Sequence, residues 1–290
     1  MPTTFRRSLI AVAAVTTVGA AAFAPAAFAT DDEDSYGKGL HAVGLVDGTT
    51  LVGFDTGDAG ATYEIGDVDL DRDAYLVGID YRVQDGGLYG VGNLGGLYLI
   101  DDEDADAEKI GELTTPLVGV DFAVDFNPAA NALRILSDTG QNLRQPFAAT
   151  PLAATAVDGP LTNPAVAPAT GTVPALGVTG AAYTNNDLDA VTATTLFDLD
   201  TVLDRVALQS PANAGTLAPT GSLPADIGPD AGFDIHSSLT DGVTDGNAAF
   251  AAVEVDGERR LWSVDLLTGG AYDLGAFGDD VTDLAIQLDQ

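Results

Sequence analysis

Leu76-Val77-Gly78-Ile79-Asp80-Tyr81 decides the fold, because the same phrase returns along the chain. A close copy is Leu117-Val118-Gly119-Val120-Asp121-Phe122. Weaker copies are Val178-Thr179-Gly180-Ala181-Ala182-Tyr183, Asp230-Ala231-Gly232-Phe233-Asp234-Ile235 and Val281-Thr282-Asp283-Leu284-Ala285-Ile286. Each is a short β-branched or apolar run amid Gly, Asp and Asn, which reads as a strand, and helical periodicity is almost missing. The copies start 41, 61, 52 and 51 residues apart, in the range of four-stranded propeller blades with unequal insertions.

The segments after the phrase repeat as well. Gly87-Leu88-Tyr89-Gly90-Val91 leads to Gly96-Leu97-Tyr98-Leu99-Ile100-Asp101 and then to Lys109-Ile110-Gly111-Glu112-Leu113. Arg260-Leu261-Trp262-Ser263-Val264-Asp265 and Gly270-Ala271-Tyr272-Asp273-Leu274-Gly275 repeat the latter half. Each unit reads as an inner strand, a hairpin back and an outer strand ending near Gly. Residues 40–66 resemble strands two to four of a unit without its opening phrase, whereas 281–286 is an opening phrase with nothing after it. Together they make one composite blade. The expected fold is therefore an all-β, five-bladed β-propeller closed by one C-terminal and three N-terminal strands, which removes the free sheet edges that invite aggregation. A pair of β-sandwiches is the competing architecture and leaves the complementary ends unexplained. Pro151 to Pro174 holds five prolines in 24 residues and reads as an extended surface insertion, accounting for the long 61-residue interval.

The 290 residues carry 11 Lys+Arg against 44 Asp+Glu, a formal charge of −33, with 46% hydrophobic residues and no cysteine. This chain is long and apolar enough to bury a core. Thiolate nucleophiles, disulfides and Cys-ligated metals are excluded. The negative potential repels phosphates, so nucleic acid and anionic membrane surfaces are not expected partners.

Arg6-Arg7, an apolar stretch from Leu9 to Ala24 and Ala27-Phe28-Ala29 make the three parts of an export signal, with cleavage expected after Ala29. The paired arginines match a twin-arginine signal except that Phe5 stands where Ser or Thr is usual, and the general secretory route is the alternative. The expected organisation is a signal peptide over 1–29, an acidic linker over 30–38 and a single propeller over 39–290. The mature chain keeps nine Lys+Arg and all 44 acids, hence −35. Its many Asp and two Lys suit concentrated salt, where surface repulsion is screened, and also suit a fold rich in turns. A secreted monomer meeting an extracellular ligand or protein is expected, with no membrane insertion after cleavage.

Ser137-Asp138-Thr139-Gly140-Gln141-Asn142-Leu143-Arg144, after Asp125-Phe126-Asn127-Pro128, is a specific run. With Ala182-Tyr183-Thr184-Asn185, residues 194–200 (TTLFDLD) and residues 209–217 (QSPANAGTL), it resembles the DUF4394 family over nearly all of residues 39–288. Members are bacterial proteins, often exported. The resemblance implies a β-propeller and an exported compartment, and it supplies no reaction and no catalytic residues.

Asp80, Asp121 and Asp234 occupy one position of three innermost strands, with Ala182 and Ala285 in the other two. Equivalent propeller positions face the axial channel, so three carboxylates are expected to converge there. Ca²⁺ takes six to eight oxygen ligands, which makes an axial Ca²⁺ one reading; in the other, each Asp accepts backbone N–H groups in its own blade. The same three residues are the acid and base of an alternative reading, an extracellular glycan hydrolase, whose mechanism needs two carboxyl groups. A sugar cleft also wants aromatic platforms, and the chain has one Trp, Trp262, inside an apparent strand. Arg134, Asn142 and Arg144 suit a small anionic or sugar-like ligand, or an internal Arg–Asp clasp. Neither Asp67-Asp69-Asp71-Asp73 nor Asp101-Asp102-Asp104-Asp106 completes an EF-hand; both read as solvated acidic loops. Two histidines, His41 and His236, and no G-x-S-x-G elbow leave little for a Ser–His–Asp triad. The preferred function is a non-catalytic binding module.

Overall fold

A computed structural model describes residues 39–289; the expected signal peptide and linker lie outside the described residues. The chain opens with β1 (His41–Val46), β2 (Thr50–Asp55) and β3 (Asp58–Asp67). Blade 1 is β4 (Leu76–Tyr81), β5 (Leu88–Gly92), β6 (Gly96–Ile100) and β7 (Ala107–Glu112). Blade 2 is β8 (Phe122–Asn127), β9 (Ala132–Ser137), β10 (Asn142–Pro146) and β11 (Ala156–Val157). A small ribbon of β12 (Thr162–Pro164) and β13 (Thr172–Pro174) comes next. Blade 3 is β14 (Val178–Tyr183), β15 (Leu196–Asp200), β16 (Arg205–Gln209) and β17 (Leu217–Ser222). Blade 4 is β18 (Gly232–Thr240), β19 (Val243–Val255), β20 (Glu258–Val264) and β21 (Ala271–Ala276). The last strand, β22 (Val281–Ile286), pairs antiparallel with β1, and the order β22-β1-β2-β3 makes blade 5. The fold is thus the five-bladed propeller with the composite closure that the repeat predicts.

Innermost strands β4, β8, β14, β18 and β22 lie side by side in that order, and β22 returns to β4. Close approach at the axis needs small residues. A Cβ on Gly78 would stand 2.6 Å from Val124 Cγ2, and one on Gly180 would stand 2.8 Å from Phe233 Cβ. Moving outward, the core is divided into five clusters, one in each seam between neighbouring blades. Seam 1–2 is aromatic: Tyr89, Phe126 and Phe147 meet edge to face with centroids 4.9–5.4 Å apart, each pair adding about 1 kcal/mol beyond its burial.

Seam 2–3 departs from this pattern. Residues in register with the inner-strand acid position are Tyr89, Phe197, Phe250 and Val43 in four blades, and Arg134 in blade 2. The proline-rich insertion bridges the same seam: Leu161 N–H bonds Gly140 O in blade 2, and Thr162 N–H bonds Gly215 O in blade 3.

One boundary differs from the sequence-based expectation. Residues 117–121 are a loop, and β8 begins at Phe122, so the blade-2 phrase is Ala123-Val124-Asp125-Phe126. The loop exists because Gly119 takes φ +149° and the Ser137–Gln141 turn holds it. Ser137 and Thr139 hydroxyls both donate to Val118 O, Gln141 Oε1 accepts from Val118 N–H, and Asp138 Oδ1 accepts from Val120 N–H.

Candidate functional site

Asp80, Asp125 and Asp234 converge on the axis, each buried, and each offers a carboxylate oxygen within 4.8 Å of the others. Asp121 does not join them. It lies one loop earlier, where its carbonyl accepts from Asp138 N–H, and burial and then the Asp138 charge push its carboxyl upward against the pull of Arg259. The spacing to the hairpin partner identifies Asp125 instead. Asp80 stands nine residues before its hairpin partner Tyr89, and Asp125 stands nine before Arg134, whereas Asp121 is thirteen away. The closer letter match at 117–122 concealed this.

The carboxylates also sew the blades together. Asp80 Oδ2 accepts from Phe126 N–H in blade 2 at 2.6 Å, Asp125 Oδ1 from Tyr183 N–H in blade 3 at 2.9 Å, and Asp234 Oδ2 from Ile286 N–H in blade 5 at 2.6 Å. Asp283, two positions earlier in its own phrase, completes the step from blade 5 to blade 1 through Ile79 N–H at 2.9 Å. Four of five seams thus carry an Asp-to-backbone stitch at the axis. Blade 3 presents Ala182 instead, and seam 3–4 is joined through Thr179 Oγ1, which donates to Pro229 O. Hydrogen bonds to backbone favour charged carboxylates, but burial and crowding oppose them. Burial, then the Asp234 charge, pushes Asp80 well above the usual carboxylate range; burial, then Asp80 and Asp234, does so for Asp125. Asp234 is raised to about 6, chiefly by burial. Asp125 is the least committed of the three, since Asp80 and Asp234 each take a second backbone N–H, from Tyr81 and Ile235.

Such a cluster suits a hard cation. Two oxygens on opposite sides of a Ca²⁺ at 2.3–2.6 Å are at most about 5 Å apart, so three oxygens within 4.8 Å fit around one ion.

Arg134, Asn142 and Arg144 are brought together, in a network that is largely interior. Arg134, 2% exposed, donates from Nη1 to Asn142 Oδ1 and Asp158 Oδ2, from Nη2 to Asn213 Oδ1 in blade 3, and from Nε to Tyr183 Oη. Arg144 pairs with the same Asp158. Burial raises the Asp158 carboxyl, but Arg144 and Arg134 override it and hold it below the usual range. The SDTGQNLR run is accounted for as structure: Ser137 to Gln141 hold loop 116–121, and Asn142 joins the clasp of blade 2 to blade 3.

Two adjoining grooves open near the rim of blade 1. One of about 540 Å³ is lined by Asp101, Asp102, Glu103, Asp106 and Glu108 among others. The second, about 370 Å³, shares Asp102 and Glu103 and includes His41 stacked on Tyr63. Within these acidic loops, Asp101 and Asp104 accept backbone N–H groups two residues on, which is turn chemistry. Asp73, from the other acidic group, is buried and accepts from Leu94 N–H and Tyr98 Oη. Trp262 is buried in seam 3–4.

Several solved structures have a similar outline at low sequence identity. A protein of unknown function from Bacteroides thetaiotaomicron aligns at TM-score 0.47 and 12% identity, over 87% of this chain and 65% of that one. An auxiliary nutrient binding protein from the same organism gives 0.41 and 12%, over 72% and 56%. Myxococcus xanthus glutaminyl cyclase gives 0.36 and 12%, over 76% and 73%. The chain therefore spans little more than half the length of that nutrient binding protein. No curated protein sequence matches. The family model described as a domain of unknown function, DUF4394, matches residues 50–285, most of the ring that carries both the axial aspartates and the Arg134 clasp. The chain belongs to the DUF4394 family.

Proposed function

We propose that this chain is an exported, non-catalytic binding module whose propeller is locked at its axis by one divalent cation of the Ca²⁺ class. Asp80, Asp125 and Asp234 hold the ion. The observation that carries this reading is the convergence of three buried carboxylates within 4.8 Å. At neutral pH such a set must keep protons or take a cation, because mutual repulsion in a poorly solvated site opposes full ionisation. Each backbone N–H occupies only part of a carboxylate's accepting capacity, so stitching and metal binding are compatible.

Non-catalytic binding is favoured over glycan hydrolysis because these carboxylates are buried and each is tied to the backbone of a neighbouring blade, which does not suit a separate acid and base. The ligand class that suits the surface is cationic or polyhydroxylated. The formal charge of −33 repels anions, and acidic side chains line both rim grooves.

The test is the melting temperature of residues 30–290 in excess EDTA and then in millimolar Ca²⁺ or Mg²⁺ at constant ionic strength. A ligand specific to the folded state stabilises by about 2.7 kcal/mol at a hundredfold excess over its dissociation constant. An upward shift with Ca²⁺ that Asp125→Asn abolishes is expected; no shift removes the ion. Turnover of a glycan panel, lost in Asp80→Asn, would overturn the non-catalytic reading.

A further inference from the structure

Asp198 on β15 is fully buried, and neither of its carboxylate oxygens finds a hydrogen-bond donor among the described residues. The equivalent positions of the other blades, set by the strand registers, are Gly90, Ile135, Ala251 and Gly44, so blade 3 alone places a charge there. Gln209, on the same sheet face and 2% exposed, leaves Oε1 equally unpartnered. This face packs on the face of blade 2 that carries Arg134: Ala181, Leu196 and Ala207 share a cluster with Ala123 and Leu136. Gln209 Nε2 and Asn142 Nδ2 both donate to Ala212 O, and Asn142 Oδ1 accepts from Arg134, so the unpartnered oxygens border the clasp.

Donors are left over on the opposite side. Arg134 has five N–H groups and four are taken, and the Tyr183 hydroxyl oxygen accepts from Arg134 Nε while its own proton has no acceptor among the hydrogen bonds of the described residues. Burial pushes the Asp198 carboxyl well above the usual range; Arg134 is the charge that pulls it back toward ionisation, although the Arg134 ion pair runs to Asp158. Three acceptors thus face two donors without direct contact. The residues beside Asp198 in register, Ala181 and Ala207, are small. Arg134 and Arg144 against Asp158 and Asp198 sum to zero with Asp198 ionised and to +1 with it protonated, so an added cation would leave the seam positively charged in either state.

We propose that blades 2 and 3 enclose a hydration site in which ordered water donates to Asp198 and Gln209, accepts from Tyr183 and Arg134, and so links Arg134 to Asp198 through solvent. Water supplies two donors and two acceptors, the complement this site lacks, and adds no charge. The inference does not depend on the axial cation. The test is a high-resolution crystal structure of residues 30–290 grown in NaCl, with crystals soaked in RbCl. Expected is an ordered peak within hydrogen-bond distance of Asp198 and Gln209 Oε1 that gains no rubidium anomalous signal. Rubidium at that peak, or no peak at all, would overturn the proposal. Asp198→Ala is expected to lower the folded-to-unfolded ratio at pH 7 at least tenfold, while an unchanged or higher ratio would mean that Asp198 is not paired. Should that variant fail to fold, the wild-type crystals still decide.

Discussion

Raising the pH of the metal-free protein from 4 to 8 is expected to lower its stability, because the axial carboxyls hold their protons more tightly folded than unfolded. Asp234 illustrates the sign: it releases its proton near 3.8 when unfolded and near 6 in the ring. Between those values the folded state keeps a proton that the unfolded state has lost, so stability falls as pH rises, and the loss is complete above the folded value. Two pKa units correspond to about 3 kcal/mol at 1.36 kcal/mol per unit, or roughly 8 °C in Tm for a domain of this size. Asp80 and Asp125 shift in the same direction and extend the window upward. The assay is thermal unfolding in EDTA across this range in 1 M NaCl, where a Debye length of about 3 Å suppresses surface repulsion but not a buried cluster. Asp125→Asn keeps an oxygen for Tyr183 N–H and turns an amide toward its neighbours, so it is expected to flatten the profile and to raise Tm at pH 8 without metal. A wild-type profile that is level or rises from pH 4 to 7 in EDTA would refute the axial account, as would a variant with an undiminished slope.

Gly78→Ala sets a Cβ 2.6 Å from Val124 Cγ2 and is expected to cost about 1–3 kcal/mol by denaturant unfolding with an unchanged m-value. Arg134→Lys keeps the charge but cannot reproduce a fork reaching Asn142, Asp158, Asn213 and Tyr183; a loss of about 3 kcal/mol is expected in the same assay, and a neutral result would mean the clasp is dispensable. Asp121→Asn is expected to leave any Ca²⁺-induced Tm shift unchanged, since Asp121 lies outside the axial set, and a lost shift would restore it to the site.

The ring was legible in the sequence because every blade must bury both faces against its neighbours, which forces one strand phrase to recur and one blade to be shared between the chain ends. Much of the axis was legible too: Asp80 and Asp234 stand at one position of a repeat whose innermost strands line it. The third acid was not. Residues 117–122 copy the phrase more closely than 122–126 do, and only hydrogen bonds from a turn some twenty residues later make the first a loop and the second a strand. Composition likewise shows an acidic chain with few arginines, but not that Arg134 lies 2% exposed with four donors engaged across two blades. Strand identity follows from short-range patterns of apolar and turn residues, and blade count from one phrase recurring along the chain. Which carboxylates meet, and whether an arginine faces solvent or a neighbouring blade, depends on register and on partners far along the chain, 79 residues away for Arg134 and Asn213 and 204 for Asp283 and Ile79, and the closed ring alone brings those together.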